Sequence, residues 1–150
     1  MAAELKRFVH GELREYLDTV LRNLVDVTKG GIPIIVIGYD HPIPDGRTFW
    51  LGDRWLDPVN DRNRYALDQG RDVMLRLINE LNLMMADAVG KMPGKGIHHL
   101  DLTGTLARQT GYDPDYDVWW LNELHPTEKG HDALAALIDA KVLAVVPALP

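Results

Sequence analysis

Between Ala2 and Thr28 the apolar residues Leu13, Leu17, Val20, Leu21, Leu24 and Val25 recur at spacings of three and four. That spacing places them on one face of a helix, with Arg14, Glu15, Asp18, Arg22 and Asn23 on the other side. Gly11 separates an N-terminal turn from the main helix, and Lys29-Gly30-Gly31 supplies its C-terminal stop. Ile34-Ile35-Val36-Ile37 follows, a continuous β-branched run closed by Gly38. Continuous rather than alternating apolarity predicts a strand buried on both faces, as in a parallel sheet. A second helical pattern runs from Asp61 to Val89, with Leu67, Met74, Leu77, Ile78, Leu81, Met84, Met85 and Ala88 on its apolar face. The methionines there read as core filling. Ile97 to Leu102 predicts a second strand. Thr127 is placed to N-cap a last helix through Leu134, Leu137 and Ile138, with Glu128 at its positive end.

From Tyr39 to Asn60 the periodicity dissolves into a long loop punctuated by Pro42, Pro44, Gly46, Gly52 and Pro58. It carries Phe49, Trp50 and Trp55, which favours an ordered, packed loop. The order helix, strand, helix, strand, helix is that of α/β layering, with a parallel sheet and right-handed crossovers. Two strands are too few to stabilise such a sheet alone. Residues 1–150 therefore read as a single α/β domain, or as the C-terminal part of one.

Composition narrows the function classes. Hydrophobic residues make up 46% and charged residues 25%, with a formal net charge of −6. An acidic balance argues against nucleic-acid partners, whose phosphates need clustered Lys and Arg. The chain has no cysteine, which excludes disulfides, thiolate nucleophiles and Cys-ligated zinc. Met1 to Leu13 contains no apolar core of a secretory signal, and no apolar run is long enough to span a bilayer. The chain as it stands reads as cytoplasmic.

The candidate chemistry lies at Trp120-Leu121-Asn122-Glu123-Leu124-His125-Pro126-Thr127-Glu128-Lys129-Gly130. His125 falls in a loop just before a helix, and an imidazole there can serve acyl transfer as a general base. A base needs a nucleophile within hydrogen-bond reach, yet the chain contains no serine at all. The plain alternative is a loop histidine that packs locally at the entry to a helix.

The run Asn122 to Gly130 resembles the last conserved block of the SGNH (GDSL-type) hydrolases, and Ile34 to Asp40 with Pro42-Ile43-Pro44-Asp45-Gly46 resembles a later strand and loop of that family. The resemblance implies a three-layer α/β/α, flavodoxin-like domain with a parallel sheet, of which this chain is the C-terminal half and the N-terminal strands are missing. It also implies an esterase or lipase-type Ser-His mechanism acting on a small ester. His125 then carries over as the base, and Asn122 stands where the family's triad Asp lies, three residues earlier. In the Ser-His-Asp template, exchanging that Asp for Asn lowers kcat about 10⁴-fold. Asp117 or Glu123 could substitute, though neither matches the spacing. The family's Gly-Asp-Ser block and the Gly-x-Asn-Asp block that helps form the oxyanion hole are absent. The isolated chain is thus expected to be inert, with an exposed sheet edge open to self-association or to a second chain. No cofactor and no metal are expected. The competing expectation is a non-catalytic α/β binding or assembly protein derived from the same scaffold.

Other clusters offer less. Asp40-His41 with Asp45 and Asp53 could bind a metal or substrate at a strand end, but they carry no fixed-spacing ligand motif, and a polar rim loop or turn chemistry is the preferred account. His98 and His99 point to opposite faces of a strand and cannot chelate one ion; one is expected to face the core with a hydrogen bond and the other to lie under a helix. Trp119-Trp120, with Trp50 and Trp55, could wall a pocket or anchor loops.

Overall fold

The helical periodicity at the N-terminus produces three consecutive helical segments. In the computed structural model, which describes residues 2–44, 67–106 and 115–146, these are helix α1 (Ala2–Arg7), a π-helical segment (Phe8–Leu13) and helix α2 (Arg14–Thr28). Gly11 does not break the helix; it lies inside the π segment. A π segment adds a residue to the turn and so shifts the face presented on either side of it. Helix α2 stops where Lys29 adopts the left-handed conformation, φ 52°, and its N–H donates to the Val25 carbonyl. The αL cap thus begins on a lysine, with Gly30 (φ 67°) continuing it, rather than on the glycines alone.

Strand β1 (Ile34–Ile37) pairs in parallel with strand β2 (Ile97–Leu100), in the register Ile34 with Ile97 through Ile37 with Leu100. Strand β2 is shorter than its apolar run, ending at Leu100. Helix α3 (Leu67–Gly90) follows the β1 loop; the expected residues 61–66 of this helix lie outside the described ones, as do Asp45, Asp53, Trp50 and Trp55. Helix α4 (Tyr116–Trp119) is a single turn that the sequence pattern does not announce, and helix α5 (Glu128–Val145) is the last. The mixed helix and parallel-strand content is that of an α/β protein. None of the described helices is long and apolar enough to cross a membrane.

By contact density the chain divides into two units: Met1–Tyr39 with Asn79–Asp101 and Ile138–Pro150, and Asp40–Ile78 with Leu102–Leu137. The core of the first unit is Leu21, Ala88 and Ile97, with Leu17, Val25, Ile34, Val36, Val89 and Met92 packed on it. Burying one such side chain contributes about 1.5–3 kcal/mol. Met84 and Met85 are also buried, as core fillers should be.

Three details depart from the pattern. Leu24 is exposed despite its helical spacing. Arg14, expected on the solvent face, is buried; its guanidinium donates to Asp18 at 2.8 Å and to Asp87 of α3. Burial opposes the charge on Arg14, but the two carboxylates outweigh it and raise the pKa. Strand β1 is not buried on both faces, since Ile37 is 43% exposed. Among the described residues the sheet has only these two strands, so each strand has one outer edge without a neighbouring strand.

Asn82 of α3 occupies part of that boundary. Its amide donates to the Tyr39 carbonyl at 2.8 Å and accepts from the Tyr39 N–H at 3.0 Å, standing in for a strand neighbour. A Cβ on Gly38 would lie 2.5 Å from Asn82 Oδ1, so only glycine admits this contact.

Candidate functional site

The second unit contains the histidine loop. Tyr116 and Trp120 are both buried and stack with ring centroids 6.0 Å apart and planes 15° from parallel. The Tyr116 hydroxyl accepts from the buried Ile43 N–H at 2.7 Å, tying the Pro42-Ile43-Pro44 segment to the same aromatic pair. Trp120 is therefore a loop anchor, and Trp119 lies beneath Lys129, whose Nζ is 4.4 Å from the ring centroid.

Beyond Trp120 the chain doubles back. Trp120 and Pro126 form an isolated antiparallel bridge, Leu121 N–H donates to the His125 carbonyl at 2.9 Å, and Thr127 N–H donates to the Trp119 carbonyl at 2.9 Å. Thr127 Oγ1 accepts from Gly130 N–H at 3.1 Å, as its spacing predicts for an N-cap, and donates to the Val118 carbonyl at 2.6 Å. Gly130 is required here, because a Cβ would lie 2.5 Å from the Trp119 carbonyl oxygen and 2.8 Å from Pro126 Cβ.

Inside this frame Asn122 is fully buried. Its Oδ1 accepts from the backbone N–H of Leu124 at 2.9 Å, the backbone N–H of His125 at 2.8 Å, and His125 Nδ1 at 3.0 Å. An amide oxygen only accepts, so the last contact requires the proton on Nδ1. In the neutral ring Nε2 then carries the lone pair, on a side chain that is exposed. The structure thus brings together the two residues that the sequence singles out, and it holds the imidazole in the tautomer a general base needs. Glu123 is buried and Asp117 exposed; Asn122 contacts the ring.

Asp40 has a different role from the metal or substrate ligand considered above. Its carboxylate, three residues after β1 in sequence, accepts from the N–H groups of Gly104 at 2.8 Å and Leu106 at 2.6 Å, and from its neighbour His41 N–H at 2.8 Å. His41 Nδ1 lies 3.3 Å away. Burial is the largest single influence on this carboxyl and pushes its pKa up. The hydrogen bonds from His41, Leu106 and Gly104 together outweigh it and leave the pKa below 3.8. Asp40 is a clasp for the loop after β2. Nothing in the sequence marked Gly104 or Leu106 as its partners; the visible signal is only an Asp directly beyond an apolar strand.

His98 and His99 are both half-buried. The hydrogen bond expected for a core-facing histidine is missing at His99, whose Nε2 is buried without a partner. Burial lowers its pKa, aided by Lys141 and opposed by Asp101. Among the described residues no group of three or more His, Cys, Asp or Glu is arranged to hold a metal ion. In the first unit an open groove of about 420 Å³ is lined by Arg22, Val25, Asp26, Lys91, Met92, Pro93 and Lys95, a set with no hydroxyl, thiol or imidazole.

The site is therefore an exposed imidazole held by a buried carboxamide. No protein family, no curated protein and no solved structure matches this chain.

Proposed function

We propose that the chain is the base-bearing part of an ester hydrolase of the SGNH type, with His125 as the general base and Asn122 as the group that orients it. The observation that carries this reading is the Asn122–His125 contact at 3.0 Å through Nδ1, on a side chain that is exposed, in a loop fixed on both sides by backbone pairing. On this reading the α/β fold is part of a three-layer, flavodoxin-like arrangement. A small ester is the substrate, and the nucleophilic hydroxyl, together with donors for the oxyanion, comes from outside the residues of this chain. His125 would take the proton from that hydroxyl and return it to the leaving alkoxide.

A second reading, a non-catalytic binding or assembly protein on the same scaffold, is favoured by the lack of any serine and by the neutral carboxamide behind the histidine. The reading frame ahead of the Met1 codon separates the two. An in-frame Gly-Asp-Ser segment, whose whole product hydrolyses p-nitrophenyl butyrate and loses that activity in His125→Ala, supports the hydrolase. A stop codon in that frame, with no hydrolysis by the 150-residue chain, removes it. Turnover by the 150-residue chain alone that disappears in His125→Ala would assign the nucleophile to a threonine or another group within it.

A further inference from the structure

The structure assigns the groove of the first unit to a ligand: a singly charged organic anion with an apolar body, such as a medium-chain carboxylate. This is independent of the reading of His125. At about 420 Å³ the groove falls within the range of small-molecule clefts, roughly 300–1,000 Å³. Its lining comes from the C-terminal half of α2 and from the turn between α3 and β2, all within one unit. The apolar part is built on the core. Val25 and Met92 are half-buried and pack on Leu21, Ala88 and Ile97, and Pro93 extends that surface with a ring of fixed φ. A floor held this way keeps its shape without a ligand, which lowers the ordering cost of binding.

The charge of the ligand follows from which lining groups are already matched. Lys91 is matched, with Nζ 2.8 Å from Asp87. Arg22 and Lys95 are exposed, and neither joins a hydrogen bond or ion pair among the described residues. Asp26 follows Arg22 by four residues, the spacing and order at which Arg14 and Asp18 pair at 2.8 Å. Arg22 and Asp26 nevertheless form no ion pair, so both keep their charge for the groove. Two unmatched cations less one unmatched carboxylate leave one positive charge, in a chain whose formal net charge is −6. One negative charge on the ligand balances it. A second would meet Asp26 and the partial negative charge at the C-terminal ends of α2 and α3. Arg22 supplies the planar fork that suits a carboxylate, and the Val25, Met92 and Pro93 surface takes the apolar body.

The test titrates the whole chain with octanoate, octan-1-ol, octylammonium and acetate, followed by amide ¹H–¹⁵N chemical shifts. Octanoate should bind with its largest shifts at the groove residues of α2 and the α3–β2 turn. Octan-1-ol, which lacks the charge, acetate, which lacks the body, and octylammonium, which reverses the charge, should each bind at least about fivefold more weakly. Arg22→Gln combined with Lys95→Gln should weaken octanoate about fivefold or more and melt with wild type, because both side chains are exposed and unpaired. Lys6→Gln combined with Arg7→Gln removes the same charge from α1 and should leave the affinity within about twofold. Octan-1-ol or acetate binding as tightly as octanoate overturns the inference, as does equal weakening in the two double variants. Shifts centred on the Asn122–His125 loop instead of the groove also overturn it. The order of the four ligands and the place of the shifts on wild type decide the matter even where the Arg22 and Lys95 variant is unstable. No readout involves ester turnover, so the outcome stands apart from that of the hydrolase reading.

Discussion

Replacing Asp40 with Asn changes one atom's hydrogen-bonding sense in a buried place, which makes it a sharp probe of the loop after β2. The amide fills the same volume, so no cavity contributes. Its oxygen can still serve the Gly104 and His41 N–H groups at 2.8 Å, but an NH₂ then faces the Leu106 N–H, whose 2.6 Å bond to the second carboxylate oxygen is lost. A hydrogen bond to a charged group is worth about 1.5–3 kcal/mol, and stranding a buried donor costs about 1–3 kcal/mol. These overlap, and the expected loss is about 3 kcal/mol. At a urea m-value of roughly 2 kcal/mol/M that moves the unfolding midpoint down by about 1.5 M. The folded carboxyl titrates below 3.8, so as pH falls the unfolded chain takes up its proton first. The stability Asp40 contributes is full above about pH 4 and is lost as pH drops through the folded pKa. Asp40→Asn should lack that part of the acid loss. Urea unfolding followed by far-UV circular dichroism at pH 7 and at pH 3 reads both effects. A variant within about 0.5 kcal/mol of wild type at pH 7 would refute the clasp.

Gly130→Ala should lower the melting temperature by several degrees, because its Cβ would meet backbone, the Trp119 carbonyl oxygen at 2.5 Å, which cannot swing aside; calorimetry showing an unchanged transition would contradict the packing of the histidine loop against α5. Thr127→Ala removes the acceptor of the Gly130 N–H and should destabilise by about 1 kcal/mol, with Thr127→Ser restoring most of it. Asp87 is held at about 2, first by Lys91 and then by Arg14. Its contribution to tying α2 to α3 should persist from neutral pH down past 3.8 and disappear toward pH 2, which a chemical-shift titration of the Asp87 carboxyl carbon would follow; a midpoint near 3.8 would show the ion pairs to be ineffective.

What the sequence disclosed follows the range of the interactions. The Asn122–His125 couplet and the Thr127 cap span three residues each, and such pairs can be read from spacing because the backbone alone brings them together. Helix faces were legible for the same reason, through Leu17, Leu21 and Val25. Arg14 was not. A periodic pattern assigns arginine to water, whereas this one finds Asp87 at a separation of 73 residues. The Asp40 clasp reaches Gly104 and Leu106 at separations of 64 and 66, so its local sequence resembles ordinary turn chemistry. The π segment escaped because its extra residue leaves no apolar period of its own and Gly11 reads as a breaker. The edge of β1 at Ile37 is set by which strands pair, and that is a tertiary fact.

The histidine loop is held by Trp120–Pro126 pairing, the Thr127 hydroxyl, the Tyr116–Trp120 stack and the Asn122 carboxamide. If His125 acts as the proposed base, it is a preorganised one: the Asn122 contact at 3.0 Å already sets the ring's orientation and tautomer, which leaves little reorganisation for a proton-transfer step. Orientation and charge are separable contributions in such a pair, and Asn122 supplies only the first. That separation makes the position informative about function. If the chain acts as a base, placing a carboxylate at residue 122 should raise ester turnover in the direction that it raises proton affinity at His125. If the loop serves binding instead, the same exchange should alter the ring's titration and leave the function unmoved.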